Sequence, residues 1–317
     1  MRQILNTEEF CLEASAVCLG KFDGIHKGHR LLIEEIQKYK KQKLQAVVFT
    51  FALHPYTLFS RGEAKLIDTT EEKIEKLERL GVDVLVSYPF TKETAAMKPE
   101  DFIKEVLVKK LGAKVIVVGK DFHFGYQRKG NITLLRKYAK ECGYKVVSLE
   151  KIQEDNHVIS STRIRNEIKA GNMEKVTSLL GEPYSIIGEV VHGKQLGRTI
   201  GMPTINQEVA EAKIIPPKGV YVSKVYLPEG EYKGITNIGN KPTVSGEQQL
   251  GVETHILGYE GDLYGKTVKV SLYEFVRSEQ KFSSLEELKT QMHRDMEYAQ
   301  SYNSAMPFIF CQNIHYD

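Results

Sequence analysis

Residues 20–29, with the sequence GKFDGIHKGH, decide the fold of the first half of the chain. They follow a short apolar run at 16–19, which is typical of a buried strand, and lead into residues 29–40, where apolar side chains recur at helical spacing. A glycine-containing turn between a buried strand and a helix predicts the carboxyl end of the first strand of a parallel sheet. Open α/β sheets bind their ligands at that edge, so these residues are the first candidate site.

Two glycines and two histidines give this turn a specific chemistry. Gly20 and Gly24 allow the backbone to pass close to a phosphate, and His26 and His29 lie three residues apart at the start of the helix. Both imidazoles and the helix N-terminus can then face one anion, stabilising the charge that builds up when a phosphoanhydride breaks. The alternative, that the histidines only cap the helix, stays open at this point.

The rest of the first half alternates strand-like and helix-like segments. Near-continuous apolar strands between amphipathic helices predict a parallel sheet covered by helices on both faces, which is a Rossmann-like α/β fold. The predicted strands are 46–51, 82–87 and 114–118, and the predicted helices are 71–80, 99–111 and 131–143.

The character of the chain changes near residue 184. Short β runs separated by Gly and Pro replace the helical periodicity, which favours a small antiparallel barrel or sandwich. Ser283 and Ser284, followed by Leu-Glu-Glu, are a typical start for a terminal helix that runs to about Tyr302. We therefore predict two domains, residues 1–182 and 183–317. The predicted strands of the second are 185–191, 219–226, 234–238, 251–257 and 267–275.

Composition narrows the function classes. The chain has 317 residues and a formal net charge of +3, which gives no electrostatic footprint for nucleic acid. No apolar run approaches the roughly 18 residues of a membrane span, and the first ten residues are too polar for a signal peptide. We expect a cytoplasmic protein with small-molecule partners and neither a nucleic-acid nor a membrane partner; self-association stays open. The cysteines, expected to be free thiols, are Cys11, Cys18, Cys142 and Cys311.

Residues 159–165, with the sequence ISSTRIR, form a second phosphate-binding candidate. Ser161 and Thr162 can cap the helix that follows or bind phosphate oxygens, and Arg165 can bind the same oxygens in a bidentate manner. An ordinary helix cap with solvated arginines is the alternative reading.

Residues 193–206, with the sequence GKQLGRTIGMPTIN, form a third candidate. The glycines suit a loop that wraps phosphates with backbone N–H groups. Thr204 and Asn206 lie two apart in an extended segment, so both side chains leave the same face and offer neutral oxygen. Such ligands suit Mg²⁺ when phosphates supply most of the charge. A polar turn after a hairpin is the alternative.

Glu253 and His255 share one face of an otherwise apolar strand. A fixed carboxylate can take the proton from a hydroxyl that attacks a phosphoryl group, which is the general-base role in an alcohol kinase. A barrel-surface glutamate in a salt bridge is the alternative.

Residues 20–29 resemble the HxGH signature of nucleotidylyltransferases, in the form typical of bacterial FAD synthetases. Residues 50–55, 118–125 and 159–165 are similar to that family's other motifs, in the same order, with departures at Leu53 and Lys120. The resemblance covers residues 1–182 and implies adenylyl transfer from ATP to FMN, catalysed by His26, His29 and Arg165. It also implies nucleotide or phosphate contacts at Gly20, Phe22, Asp23, Gly28, Asp121, Ser161 and Thr162, and flavin contacts at His54, Pro55 and Phe124.

Residues 184–302 resemble riboflavin kinases. The GRTIGMPTIN segment is similar to that family's GRxLGxPTAN motif, with mild departures at Met202, Ile205 and Gly258. The resemblance implies phosphorylation of riboflavin by ATP, with Glu253 as the base for the ribityl 5′-hydroxyl. It implies Mg²⁺ ligands at Thr204 and Asn206, phosphate contacts at Gly193, Gly197 and Arg198, and flavin contacts at Arg277 and Glu279.

Together the two resemblances identify the chain as a member of the bifunctional riboflavin kinase/FMN adenylyltransferase family. ATP, riboflavin, FMN and FAD are then its substrates or products, and Mg²⁺ its cofactor. Three other functions compete: adenylyl transfer to another acceptor such as pantetheine phosphate, a class I tRNA-charging role, and flavin sensing without catalysis. The appended barrel disfavours the first, and the low charge with no KMSKS-like segment disfavours the second. A pure sensor predicts loss of His26, His29, Asn206 or Glu253, and all are present.

Overall fold

The computed structural model describes residues 1–52, 65–193, 196–199, 201–242 and 248–303. The chain divides into two compact units, Met1–Ser161 and Thr162–Asp317. This division falls earlier than the predicted boundary between residues 182 and 183. Helix Met173–Leu180 packs against strands of the second unit, so it groups with that unit by its contacts. The boundary that separates the two activities stays a prediction.

The first unit is built on a six-stranded sheet in which every pairing is parallel. The strands of this unit are β1 Arg2–Leu5, β2 Ser15–Leu19, β3 Gln45–Phe51, β4 Val84–Tyr88, β5 Ala113–Gly119, β6 His123–Phe124, β7 Gly130–Asn131, β8 Lys145–Leu149, β9 Gln153–Glu154 and β10 His157–Val158. The strand order of the sheet is β1-β4-β3-β2-β5-β8. The other four strands form two short antiparallel pairs, β6 with β7 and β9 with β10.

Helices cover both faces of this sheet because its central strands are apolar on both sides. Along β2, Val17 belongs to one buried cluster and Cys18 to the other. Each cluster joins alternate strand residues to the helices on its own face. The predicted α/β fold is therefore confirmed. The helical segments of this unit are Lys27–Gln37, Lys38–Gln42, Thr70–Arg79, Lys92–Ala95, Pro99–Asp101, Phe102–Lys110, Tyr126–Arg128 and Ile132–Cys142.

The strand order places the turn at residues 20–26 in a particular position. Strand β3 lies on one side of β2 and β5 lies on the other, so the chain reverses its direction of travel across the sheet beside β2. The loops after β2 and β5 therefore flank a switch point, where open α/β sheets form their ligand crevice.

The second unit contains a closed barrel of six antiparallel strands. The strands are β11 Tyr184–Val191, β12 Thr204–Glu208, β13 Gly219–Leu227, β14 Gly230–Pro242, β15 Gln248–Ile256 and β16 Thr267–Arg277. Their order around the barrel is β11-β12-β15-β14-β13-β16, and its closure settles the choice between barrel and sandwich. Alternation along β13 sends Tyr221 and Ser223 to one face and Val220 and Val222 to the other.

The terminal helix Leu285–Ser301 begins as predicted, with Ser284 Oγ accepting a hydrogen bond from the N–H of Glu287. It packs against β14, and its Ala299 joins Val220 and Val222 in an apolar cluster. In the part of the chain that the structure describes, no helix is both long and apolar enough to cross a bilayer. Helix Ser161–Ala170 begins at the last residue of the first unit, and the other helices of the second unit are Met173–Leu180 and Leu196–Thr199.

Candidate active sites

The turn after β2 is held in one conformation by buried contacts. Thr50 Oγ1 donates to the carbonyl of Lys21 at 2.8 Å. Gly24 has φ +64°, and a Cβ there would lie 2.7 Å from the side chain of Ile67. Because the backbone is left-handed and the neighbouring side chain is close, only glycine fits at this position. The turn is therefore a rigid cradle above the sheet edge.

His26 and His29 form a stacked pair at the N-terminus of helix Lys27–Gln37. Their ring centroids lie 3.7 Å apart with an interplanar angle of 16°. His26 is the N-cap, and its Nδ1 accepts a hydrogen bond from the backbone N–H of His29 at 3.3 Å. His29 Nδ1 lies 3.0 Å from the carbonyl oxygen of Gly24. The capping reading and the catalytic reading are therefore compatible, because the cap leaves Nε2 of each ring uncommitted by these bonds.

These hydrogen bonds assign opposite tautomers to the two rings. Nδ1 of His26 is an acceptor, so its proton lies on Nε2, which is a donor even when the ring is neutral. Nδ1 of His29 faces a carbonyl and must donate, so its Nε2 carries a lone pair in the neutral ring. His26 can therefore donate to a phosphate oxygen at once, whereas His29 must first gain a proton.

Burial keeps both rings neutral in the ligand-free protein. It lowers the pKa of His26 to about 2, with a further lowering from His29. It lowers the pKa of His29 to about 4, against the opposing effect of the Gly24 carbonyl, while Lys73 adds to the lowering. A bound polyanion would oppose both shifts, because an adjacent negative charge favours the imidazolium form.

Three other predicted residues of the turn are placed by the same structure. The Phe22 ring is buried and lies 4.9 Å from that of His29. Gly28 sits against the ring of His26, where a Cβ would approach within 3.1 Å. The Gly20 N–H donates to the carbonyl of Phe49 at 3.2 Å. Phe22 and Gly28 thus pack against the histidine pair, and Gly20 ties the turn to β3. The contacts of all three with a nucleotide stay predictions.

Asp23 lies beneath the turn and is 2% exposed. Its Oδ1 accepts hydrogen bonds from the backbone N–H groups of Ile67 at 2.9 Å and Asp68 at 3.4 Å. Asp68 reciprocates, because its Oδ2 accepts from the N–H of Ile25 at 3.2 Å. The two carboxylates therefore fasten the turn to the segment that precedes helix Thr70–Arg79. A nucleotide contact for Asp23 stays a prediction.

The loop after β5 flanks the same switch point. Asp121 pairs with Lys151 at 2.7 Å near the surface. Phe124 is 7% exposed and belongs to the core beneath the sheet, where its ring lies 5.5 Å from that of Phe102. The predicted nucleotide contact of Asp121 and flavin contact of Phe124 stay predictions. His54 and Pro55 lie outside the described residues.

The ISSTRIR segment begins helix Ser161–Ala170. The Ser161 hydroxyl donates to the carbonyl of Asp23 at 2.7 Å, so this serine anchors the turn. Thr162 and Arg165 follow on the same helix, which continues into the second compact unit. Their phosphate-binding roles stay predictions.

The predicted kinase residues lie on one face of the barrel and are placed by strand register. Asn206 of β12 pairs with Glu253 of β15, which pairs with Asn237 of β14. Two residues along the strands, Thr204 pairs with His255, and both share that face by alternation. His255 is oriented by its Nδ1, which lies 2.7 Å from the carbonyl of Pro203. The structure thus brings Thr204, Asn206 and Glu253 together.

Asn206 has an unsatisfied oxygen at the centre of this face. Its Oδ1 is buried and has no hydrogen-bond partner among the described residues. Gly193 lies directly over it, since a Cβ there would fall 2.4 Å from Asn206 Nδ2. A buried amide oxygen without a partner costs free energy unless a ligand satisfies it. Its chemistry fits Mg²⁺ or a donor group of the substrate.

Within the described ranges, no group of three or more His, Cys, Asp or Glu side chains is arranged to hold a metal ion. Neutral oxygens such as those of Thr204 and Asn206 would hold a divalent cation weakly alone, and well only together with phosphate oxygens.

A cleft beside Thr204 is lined by Arg198 and Tyr264, among others. The Arg198 guanidinium donates to the Tyr264 hydroxyl at 3.4 Å, and the His192 ring stacks on that tyrosine at 3.8 Å. Gly197 lies with Arg198 on the short helix Leu196–Thr199. The phosphate contacts predicted for Gly197 and Arg198 stay predictions.

The two residues predicted to contact flavin differ in their surroundings. Arg277 forms a bidentate ion pair with Asp295 of the terminal helix, with Nη2 to Oδ2 at 2.7 Å and Nε to Oδ1 at 3.1 Å. The Glu279 carboxylate lies close to Gly239, two residues after Asn237 on β14. A Cβ on Gly239 would meet this carboxylate. Flavin contacts of Arg277 and Glu279 stay predictions.

Sequence reasoning missed Asp68, Lys76 and Asn237. Asp68 and Lys76 form a buried ion pair at 2.6 Å, and Asn237 completes the row beside Glu253. Strand parity with Glu253 was the available signal for Asn237. Asp68 lies outside the predicted strands and helices, and the spacing of its neighbours gave no sign that it would contact the histidine turn.

These two units define a class: a two-domain protein with one candidate site at the switch point of a parallel sheet and another on a closed barrel. Family comparison gives the same division. The family described as FAD synthetase matches residues 9–163, and the family described as riboflavin kinase matches residues 180–303. The chain belongs to the bifunctional riboflavin kinase/FMN adenylyltransferase family, and both of its domains are enzymatic.

Relatives from three bacteria carry that description over nearly their whole length. The relative from Escherichia coli strain K12 is 39% identical over 298 residues, which cover 93% of this chain and 95% of the relative. The Haemophilus influenzae relative is 36% identical, covering 92% and 95%. The Listeria monocytogenes relative is also 36% identical, covering 92% and 93%. The predicted family is confirmed.

A solved structure shares the fold of the full chain. It is described as a macrolide-efflux protein from Streptococcus pneumoniae, with 31% sequence identity and a TM-score of 0.84. The match covers 95% of this chain and 99% of that protein. Both units and their order along the chain therefore have a counterpart of known structure.

Proposed function

We propose that the second unit phosphorylates riboflavin to FMN with ATP, and that the first unit transfers the adenylyl group of a second ATP to FMN, giving FAD. The observation that carries this proposal is the presence of two separate phosphate-type sites. One is the stacked histidine pair at a helix N-terminus, and the other is the Asn206–Glu253 row with its unsatisfied amide oxygen.

Adenylyl transfer needs no general base, because the phosphate of FMN is already an anion near neutral pH. One of its oxygens attacks the α-phosphorus of ATP, a new phosphoanhydride forms, and the bond to the β-phosphate breaks to release pyrophosphate. His26 Nε2–H donates to a phosphate oxygen throughout. His29 takes up a proton as the polyanion binds, and its Nε2–H then stabilises the charge that develops on the leaving group.

The kinase reaction requires removal of a proton. Glu253 accepts it from the 5′-hydroxyl of riboflavin as that oxygen attacks the γ-phosphorus of ATP, and ADP leaves. Thr204 Oγ1 and Asn206 Oδ1 would hold Mg²⁺, which would neutralise phosphate charge when bound. Asn206 is preorganised for this task by its burial beneath Gly193.

The remaining predicted contacts complete the two sites. Arg165, Ser161, Thr162 and Asp121 would contact nucleotide phosphates in adenylyl transfer, and Gly193, Gly197 and Arg198 those in the kinase reaction. The flavin would contact His54, Pro55 and Phe124 in the first reaction and Arg277 and Glu279 in the second. Because Asp295 holds Arg277, this guanidinium would be fixed before flavin binds.

We also propose a cytoplasmic location. Cys11, Cys18 and Cys142 are free, as expected where thiols are kept reduced. Cys311 lies outside the described residues.

Product chromatography with riboflavin, ATP and Mg²⁺ tests the assignment. Glu253→Gln should lower FMN formation about 10³-fold and leave FAD formation from FMN unchanged. His29→Asn should lower FAD formation from FMN about 10²-fold and leave FMN formation unchanged. Glu189→Gln and His157→Asn, both exposed, are matched controls expected to retain both activities. Equal loss of both activities in either folded site variant would contradict the two-site assignment.

A further inference from the structure

One peptide group links a buried carboxylate to the catalytic histidine pair. The N–H of Ile25 donates to Asp68 Oδ2 at 3.2 Å. The carbonyl of the same peptide, that of Gly24, lies 3.0 Å from His29 Nδ1 and also accepts the N–H of His26 at 2.6 Å. Asp68 and His29 are therefore joined through a single peptide bond, with a hydrogen bond at each end.

The far side of the carboxylate is equally fixed. Lys76 Nζ lies 2.6 Å from Asp68 Oδ1, and their side chains are 5% and 1% exposed. Burying an ion pair so completely is seldom a gain in stability over apolar packing. The ion pair fixes the orientation of the Asp68 carboxylate toward the peptide of the turn, so its role is better sought in function than in stability.

We propose that Asp68 is a positioning residue for adenylyl transfer and acts on His29 through the Gly24–Ile25 peptide. This inference rests on the function proposed for the histidine pair. A carboxylate that accepts from a peptide N–H polarises the peptide and makes its carbonyl a stronger acceptor, since hydrogen bonds in a chain reinforce one another. The carbonyl then holds the Nδ1–H of His29 more tightly and stabilises the imidazolium that forms as phosphates bind.

The arrangement does for His29 what a directly bonded carboxylate does in a catalytic triad. It fixes the tautomer and the ring orientation, and it compensates the positive charge. The interposed peptide keeps the carboxylate away from the phosphates, which a directly bonded aspartate would repel. Asp68 is thus sited to support a histidine that faces a polyanion.

The other groups that face His29 set the direction of the expected pH effect. His26 stacks on it, and the positive charge of Lys73 lowers the pKa of His29, whereas the negative charge of Asp68 raises it. Asp23 and Asp68 in turn act on Lys73, and Lys76 pairs with Asp68. Removing the charge of Asp68 together with that of Lys76 should therefore lower the pKa of His29.

The test uses the full chain with Asp68→Asn and Lys76→Met combined, so that no buried charge is left unpaired. The asparagine oxygen can still accept from Ile25, so the turn keeps its shape while the charge is lost. Because the active state carries imidazolium at His29, the rate falls as pH rises through its pKa in the complex. The basic limb of the kcat profile for FAD formation should move down by about one pH unit.

A matched control exists in the same unit. Asp83 accepts the N–H of Ala46 through Oδ2 and pairs with Lys40 through Oδ1, both at 2.8 Å, without a histidine in the chain of bonds. Asp83→Asn with Lys40→Met should leave the basic limb in place. Kinase activity should be unchanged in both double variants.

Three results would overturn the proposal: an unshifted limb, a uniform loss of kcat at every pH, or an equal shift in the Asp83 control. Asp68→Glu, which keeps the charge, provides a second variant and should retain the wild-type limb. ¹⁵N spectra of the ligand-free histidines give a readout independent of activity. They should show the Nδ1–H form of His29 in the wild type and a tautomer mixture in Asp68→Asn/Lys76→Met; an unchanged spectrum counts against the linkage. Failure of the wild type to form FAD would instead refute the proposed function itself.

Discussion

The proposed adenylyl site of the first unit has buried charged groups of its own, whereas the proposed kinase face of the second unit surrounds Glu253 mainly with neutral ones. Around His26 and His29 lie a buried carboxylate–lysine pair and the N-terminus of a helix. Around Glu253 lie two amide side chains and a hydroxyl, placed by strand register. The first site is set by hydrogen bonds within a turn, and the second by the pairing of strands.

This difference determines which kinds of change affect each site. A turn held by buried charged groups depends on the protonation state of those groups and on the dielectric constant around them. The neutral groups beside Glu253 depend on how closely neighbouring backbone approaches, because they carry no charge of their own. Changes of buried charge should therefore affect the histidine pair of the first site, and steric changes the Asn206 amide of the second.

The largest expected effect concerns the anchor of the terminal helix in the second unit. Asp295→Asn leaves the guanidinium of Arg277 without its charged partner in a largely buried place, so the free energy of unfolding should fall by about 3 kcal/mol. Thermal unfolding followed by circular dichroism measures the change. Glu105→Gln removes an exposed ion pair with Lys109 and should change stability by less than about 0.5 kcal/mol. If Asp295→Asn lowered stability as little as Glu105→Gln, the terminal helix would not depend on the Arg277–Asp295 pair.

Gly193→Ala should come next, with a loss of kinase activity of about 10²-fold. The added Cβ would lie 2.4 Å from the Asn206 amide and must push it out of place. Displacement of a positioned group by about 1 Å commonly costs that factor. Riboflavin phosphorylation assays measure it, and FAD formation from FMN should be retained. Gly119→Ala is the comparison variant for kinase activity, because its backbone is not left-handed and an added Cβ would make only an ordinary contact, 3.6 Å from Asp121 Oδ1. Retained kinase activity in Gly193→Ala would show that the backbone approach is not limiting.

The smallest expected effect is on acid stability, and it belongs to the first unit. Both histidines have a folded-state pKa below the ordinary 6.5, at about 2 and about 4. Folding therefore favours the neutral rings: their contribution is fully present above pH 6.5 and is lost as pH falls toward those values. Between pH 6.5 and 5.5 each histidine should cost about 1 kcal/mol of stability.

Urea unfolding at the two pH values, compared with His26→Asn/His29→Asn, isolates this contribution. The double variant should lose less stability over the same interval than the wild type. An identical loss in both proteins would mean that the two rings titrate normally in the fold.

Much of the architecture was predictable because its signals are local. The apolar strands and amphipathic helices of the first unit follow from periodicity, and the ends of helix Ile132–Cys142 follow from the Asn131 cap and the Gly143 stop. The terminal helix followed in the same way from its serine cap. The histidine pair was predictable since both rings belong to one turn and one helix start.

Edge strand Arg2–Leu5 was missed, because it is short and only Ile4 is buried. Contacts between distant segments were also beyond reach. Asp68 joins the turn from 43 residues along the chain, and its role depends on which backbone N–H it meets. Asn237 shares a face with Glu253 only once the register of β14 on β15 is known. Family resemblance supplied flavin as the substrate, which neither spacing nor composition contains.

The row of Asn206, Glu253 and Asn237 has a consequence for how this protein can vary. Each residue reaches the site because its strand is in one register, and a slip of one position would turn it to the opposite face of the barrel. A single inserted or deleted residue within β12, β14 or β15 is therefore more disruptive than most substitutions there. Evolution of the kinase unit is free to exchange neighbouring side chains, but changes of chain length should be confined to the loops between strands.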